Sequence, residues 1–229
     1  MIREQNLQVA DAPNMAYDAV LTAGNFKPIL FSTPMVQAIL RGEKTQTRRI
    51  VKSDEISEKI NLARCKYKVG DILWVRETFT ILEPEHCEGM SERFYYKADH
   101  HDMNEDWRLE CIRDGYPYKW KPSLFMPRSA CRIFLKIKSI RVEKLNNISE
   151  ADAISEGIIE LSQSRMQHVV NGRQFFNYLK KKELFNEGLT AKESYKTLWQ
   201  KINGEKSWKE NPFVWVYEFE RSNASFACS

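Results

Sequence analysis

The chain has no apolar run near the roughly 20 residues that a membrane helix needs. Its opening, Met1-Ile2-Arg3-Glu4-Gln5-Asn6, is too polar to begin a secretory leader. Both absences lead to the expectation of a cytoplasmic protein with no membrane partner. Cysteine is sparse. The five residues Cys65, Cys87, Cys111, Cys131 and Cys228 are an odd number with no C-x-x-C pair. The four histidines, His86, His100, His101 and His168, add no second pair at zinc-site spacing. Reduced thiols are therefore expected, with no metal and no cofactor. A strong excess of one charge is also lacking. A net charge of +4 admits an anionic partner such as nucleic acid but does not require one. No self-similarity at solenoid period is visible.

What is present is the balance of a globular chain. Of 229 residues, 42% are hydrophobic and 29% charged, which excludes a disordered or fibrous protein. Residues 1–26 have no sustained period and read as an N-terminal extension. From Lys27 the pattern firms. Pro28-Ile29-Leu30-Phe31 is a short apolar strand, Ser32-Thr33-Pro34 supplies a cap and an N-terminal proline, and Val36, Ile39 and Leu40 share one helical face before Gly42. Val69-Gly70-Asp71 is a turn that feeds the strand Ile72-Leu73-Trp74-Val75. Residues 82–127 read as an insertion with one strand at Phe94-Tyr95-Tyr96. Arg132 to Leu145 is a strand whose inward phase changes near Lys138-Ser139, which predicts a bulge of the kind a small barrel needs.

Ser149 with Asp152 resembles a capping box, opening a short helix that Gly157 ends. After a second insertion over 158–189, Thr190 with Glu193 caps a helix with Tyr195, Leu198, Trp199 and Ile202 on one stripe before Gly204. Phe213 to Glu220 is the last strand, and 222–229 is a polar tail. Strands split by short helices, without regular alternation, predict a single α+β domain over 27–221 built on a closed or nearly closed sheet.

The segment Gly42-Glu43-Lys44-Thr45-Gln46-Thr47-Arg48-Arg49 has the form G-x-K-x-x-T-x-R. Taken as sequence alone it is a polar, basic turn. It resembles the signature of ASCH domains, relatives of the PUA RNA-binding barrel. The flanking order is similar too: Val69-Gly70-Asp71-Ile72-Leu73 after the motif, then Ile148-Ser149-Glu150-Ala151-Asp152-Ala153 with Glu156, then Phe213-Val214-Trp215-Val216-Tyr217-Glu218-Phe219. The resemblance implies a PUA-like α+β fold with a small β-barrel. It further implies an amidohydrolase of the kind that removes the acetyl group from N4-acetylcytidine, with Lys44, Thr47 and Glu156 in the catalytic positions. The alternative it carries is an RNA- or nucleic-acid-binding module, with or without ribonuclease activity. The expected partners are a modified nucleoside or RNA.

The residues can be weighed apart from the family. A threonine hydroxyl needs a base, and a lysine is a base only when burial or a nearby cation lowers its pKa; Arg48 and Arg49 are such cations in sequence. The same Lys44 and Thr47 would also make a phosphate-binding turn. Glu156, at the C-terminal end of a short helix, faces the negative end of the dipole, which reads either as a site for a cationic partner, with Lys44 as the candidate, or as an ordinary exposed glutamate at a helix end. Arg49 is assigned to holding substrate. Arg76 and Glu77 either line the same pocket or pair with each other. Trp199 and Trp215 are expected in the core, whereas Trp120 and Trp208, each beside lysine, are the candidates for stacking on a base.

Overall fold

A computed structural model of the chain describes residues 25–51, 65–82, 93–99, 119–161, 174–179 and 189–222. The expected extension before residue 25, the tail beyond 222 and most of both insertions lie outside the described residues. In chain order the elements are β1 (Phe26–Leu30), α1 (Thr33–Leu40), β2 (Gln46–Ile50), β3 (Ile72–Arg76), β4 (Phe79–Leu82), β5 (Arg93–Tyr96) and β6 (Phe134–Lys144). There follow α2 (Glu150–Ser155), α3 (Ala191–Asn203), α4 (Ser207–Glu210) and β7 (Phe213–Ser222). The fold is α+β. Among the described residues no helix is long and apolar enough to cross a membrane.

Five strands form one mixed sheet in the order β1-β3-β6-β7-β2, and β4 with β5 makes a separate hairpin. Only β1 and β3 run parallel; the other ladders are antiparallel. The described ladders leave β1 and β2 as the two ends of the sheet, so the pairing stops short of the closed barrel expected from sequence. One side chain spans those ends: Arg49 Nη2 on β2 donates to the Leu30 carbonyl on β1 at 3.2 Å. The expected bulge is present, with the β6–β7 register shifting between Ile137 and Ser139.

The near-continuous apolar run of β7 has a direct cause in burial on both faces. Trp215, Tyr217 and Phe219 pack with Val36 and Ile39 of α1 and with Leu73, Val75, Leu135 and Ile137. Val214 and Val216, alternating with them, pack against Ala153 of α2 and Tyr195 and Trp199 of α3. Each such side chain contributes roughly 1.5–3 kcal/mol by leaving water. α1 starts with proline in its first turn and stops at Gly42, whose φ is +76°. Ser149 Oγ accepts from the Asp152 amide, and Thr190 with Glu193 forms both bonds of a capping box.

Two expectations need correction. Ile202 is 57% exposed, because residues 201–206 at the end of α3 all face solvent and the apolar stripe has no core opposite it. The basic segment does turn, over Arg41 and Gly42, but Gln46–Ile50 is a strand, hydrogen-bonded to β7 with Thr47 opposite Tyr217 and Arg48 opposite Val216. Gln46, Thr47 and Arg48 are buried. They escape the usual pattern for a strand because their partners are charged groups from distant parts of the chain.

Candidate functional site

Alternation along β2 separates its side chains into two sets. Gln46 and Arg48 project toward α2 and α3, and Thr47 and Arg49 project toward Phe31 at the end of β1. Lys44 precedes the strand, held by an isolated antiparallel bridge to Glu156. That bridge needs a close approach. Gly157 has φ +77°, and a Cβ placed on it would lie 2.7 Å from Lys44 Cβ and 2.8 Å from Ala38 Cβ. Glycine at the end of α2 thus lets the helix terminus rest directly on the turn.

The Lys44 side chain is fully buried. Its ammonium donates to Glu156 Oε2 at 2.9 Å, to the Glu156 carbonyl at 2.8 Å and to the Gln46 carbonyl at 2.8 Å. All three protons are therefore committed. Burial pulls the Lys44 pKa down, and the Glu156 carboxylate opposes that pull without cancelling it. The other carboxylate oxygen, Glu156 Oε1, accepts from Arg48 Nη1 at 3.0 Å. Arg48 is also fully buried in its side chain, and reaches Glu143 Oε1 at 2.7 Å and Asp152 Oδ2 at 3.2 Å. Its guanidinium lies 5.9 Å from the Tyr195 ring. Burial lowers the Arg48 pKa, but Glu156 and Glu143 outweigh it and the net shift is upward. Arg141 closes the network, bonding Asp152 Oδ2 at 3.0 Å and Glu218.

Thr47 is buried on the opposite face of the strand. Its Oγ1 accepts from Arg49 Nη1 at 3.0 Å, and Arg49 lies 5.5 Å from the Phe31 ring. Lys44 Nζ is 5.6 Å from the same ring. Phe31 therefore links the two halves of the motif. The structure brings Lys44 and Glu156 into direct contact, and sets Thr47 on the Arg49 guanidinium instead of on the lysine.

Phe31 also lines a cleft of about 650 Å³. The other walls are Ser32, Thr33, Pro34 and Gln37 at the start of α1, together with Thr78, Lys97, Pro122 and Ser123. The Ser32 side chain makes no capping bond to α1. Backbone bonds fix the far wall: Lys97 N donates to the Thr78 carbonyl at 2.9 Å, and Lys121 and Phe79 exchange bonds of 2.7 and 3.2 Å.

The remaining candidates lie apart from Lys44. Glu77 is buried, and Arg132 grips it through two bonds of 2.9 and 3.0 Å while also bonding Asp99 at 2.5 Å. Burial raises the Glu77 pKa, with Arg132 opposing it. Arg76 stacks 5.3 Å from the Trp74 ring and donates to the Leu124 carbonyl, so it pairs with neither Glu77 nor a residue of the motif. Trp208 packs against Tyr195 at 6.5 Å, beside α3. Trp120 is half-buried between the exposed Lys119 and Lys121, near the cleft. Phe31, Thr78, Lys97 and Ser123 were not singled out by sequence reasoning. For Phe31 a signal exists: it ends an apolar strand directly before a helix cap, the position at which a side chain meets the helix N-terminus.

Among the described residues no group of three or more histidine, cysteine, aspartate and glutamate side chains is placed to hold a metal ion. No family model matches the chain, and no curated protein and no solved structure matches it.

Proposed function

We propose that the chain is an ASCH-type, PUA-like amidohydrolase that removes an acyl group from a modified nucleoside or base such as N4-acetylcytidine. One observation carries the reading: a desolvated Lys44–Glu156 pair, joined across 112 residues, shares the Phe31 ring with Arg49, the residue that donates to Thr47, and Phe31 also lines an open cleft. Selection for stability alone rarely favours such a pair, since a buried ion pair costs several kcal/mol in desolvation per ion. In this reading the cleft holds the base and Thr47 Oγ1 attacks the acyl carbonyl carbon. Proton transfer from Lys44 to Glu156 Oε2 converts the ion pair into a neutral amine and a carboxylic acid. The neutral amine, once its lone pair turns from the Glu156 acid to the hydroxyl, takes the Thr47 proton. Arg49 Nη1 lowers the cost of the alkoxide it touches. Collapse of the tetrahedral adduct breaks the C–N bond as Lys44 passes the Thr47 proton to the leaving amine. Lys44 then deprotonates the water that attacks the acyl ester, returns that proton to Thr47 Oγ1 as the C–O bond breaks and the carboxylic acid leaves, and recovers its own proton from Glu156.

A second reading rests on a specific feature of the resting site. All three Lys44 protons are donated and Thr47 Oγ1 already accepts from Arg49, which suits a binding module that holds a base or phosphate without chemistry. The test is acetate release from N4-acetylcytidine and a panel of acylated nucleosides. The hydrolase reading expects turnover by the wild type and none by Thr47→Ala, with ligand affinity nearly kept, because the hydroxyl acts mainly in the transition state. Ligand binding with no turnover across the panel leaves the binding module as the function.

A further inference from the structure

Segment 119–130 gives Pro122 and Ser123 to one wall of the cleft, and its Lys121 pairs with Phe79 at the start of the hairpin. It carries Lys119, Lys121 and Arg128 and no carboxylate. Its 3-10 turn, Ser123–Phe125, follows Pro122 and turns two large apolar side chains outward: Leu124 is 57% and Phe125 68% exposed. The turn itself is anchored. Met126 beneath it is buried, Phe125 N donates to the Pro122 carbonyl at 2.9 Å, and Arg76 holds the Leu124 carbonyl. An exposed phenylalanine on a fixed turn, two residues beyond Ser123 of the cleft wall, gains nothing for the core. Lys97, exposed across the cleft, adds a third lysine to Lys119 and Lys121, while Glu77 and Asp99 on the neighbouring elements share Arg132.

We propose that this rim is a platform for single-stranded nucleic acid: Phe125 stacks on a base next to the one in the cleft, and Lys97, Lys119 and Lys121 meet the phosphates. The proposal takes the identity of the cleft's base from the reading above, and it makes the substrate a polymer where that reading left nucleoside and RNA open. Charge complementarity selects the occupant. An unpaired aromatic face between cations matches what single strands present, alternating bases and phosphates. A lipid surface would match the cations and the apolar pair, but has no use for an adjoining cleft of about 650 Å³, a size that takes one base with its sugar.

The experiment uses the full chain and four probes: a labelled 12-nucleotide RNA with one N4-acetylcytidine, the same RNA as a duplex, free N4-acetylcytidine, and vesicles of anionic phospholipid. Three phosphate contacts on a single strand give a slope of log K against log salt of about −2, so affinity falls about twenty-fold between 50 and 200 mM salt. Lys119→Gln with Lys121→Gln reduces that slope to about −0.7. Phe125→Ala weakens single-strand binding at least about five-fold and leaves the thermal midpoint unchanged. Equal affinity for the oligonucleotide and the free nucleoside overturns the proposal, as does a flat salt response, an unaffected Phe125→Ala variant, equal preference for the duplex, or capture by vesicles and not by RNA. The two readings separate cleanly. RNA bound as expected with no acetate released defeats the hydrolase and keeps the platform; free nucleoside hydrolysed with Phe125 and the lysines irrelevant defeats the platform and keeps the hydrolase.

Discussion

Glu156→Gln is the sharpest perturbation available, because it removes one charge and almost no volume from a group that serves two buried cations. Lys44 has Glu156 as the carboxylate in its bonding shell; its other acceptors are the Gln46 and Glu156 carbonyls. Arg48 keeps Glu143 and Asp152. The loss therefore falls mainly on Lys44. Breaking a buried ion pair from one side costs about 3–5 kcal/mol, and the glutamine oxygen retains part of the hydrogen bonding, so about 3 kcal/mol is expected. Against a typical total of about 5–15 kcal/mol the domain still folds. Urea denaturation followed by tryptophan fluorescence measures it. The pH dependence has a definite sign. Burial lowers the folded-state pKa of Lys44, and without Glu156 it falls further, so the penalty for a charged lysine is full at pH below the variant's lowered value. That penalty shrinks as pH rises through the lowered values toward the unfolded one of about 10.4, so the gap to wild type should narrow, never widen, as the pH is raised. In a double-mutant cycle with Lys44→Met the coupling should be about 2–3 kcal/mol. A Glu156→Gln variant within about 0.5 kcal/mol of wild type at pH 7 would refute the reasoning, whatever its activity.

Gly157→Ala should cost about 2–4 kcal/mol, since the new Cβ meets Lys44 Cβ and Ala38 Cβ at under 3 Å in a left-handed backbone. Gly70→Ala, at φ +89° with open space around it, carries only the backbone strain of about 1–2 kcal/mol, and the difference in urea midpoint between the two variants checks the contact. Asp152 and Glu218 titrate below their ordinary values. For Asp152, burial acts upward, but bonds from Gln46 and Arg141 outweigh it; for Glu218, the Ser139 hydroxyl is the main cause, with Arg141 assisting. Their stabilisation is complete above the ordinary carboxylate range near pH 4 and is lost as pH falls through the depressed values. The thermal midpoint of Asp152→Asn should therefore lie below wild type at pH 6 and approach it as pH falls through the depressed value; curves that stay parallel would show that Asp152 contributes through shape alone.

How much of this was legible in the sequence depends on how far each feature reaches. α1 could be read from Ser32-Thr33-Pro34 and Gly42, and the capping box of α3 from Thr190 and Glu193, because both ends of each signal lie within a turn or two. The bulge near Ser139 showed as a change of inward phase within one strand. β2 was not legible as a strand. Gln-Thr-Arg-Arg-Ile has no apolar alternation, and the groups that make its burial tolerable are Glu143, Asp152, Glu156 and Glu218, about 95 to 172 residues away along the chain. The meeting of Lys44 with Glu156 could be anticipated from the odd placement of a carboxylate at a helix C-terminus. The contact of Arg49 with Thr47 could not, since it depends on which face each residue takes once β2 is a strand. The cleft was invisible for a related reason: its walls come from four separate stretches, and only Ser32-Thr33-Pro34 among them has a pattern of its own, which marks a helix start and not a cleft.

The position of β7 in the sheet sets an order of events. It is the last strand described, yet it lies inside the sheet, between β6 and β2, and both helices α2 and α3 pack across it. As a chain leaves the ribosome, β1, β2 and β3 emerge early, but β2 has no ladder to join until Phe213–Ser222 arrives to separate it from β6. Until then Arg48 faces no formed pocket, and the turn at Lys44 lacks the strand that continues from it. Synthesis to the end of α3 thus yields one partial sheet, β1-β3-β6, with an exposed β6 edge and with β2 left unpaired, a state that favours association with chaperones or with other nascent copies. The β2–β7 ladder that carries the motif's strand therefore waits for the last described strand, however early the motif itself emerges.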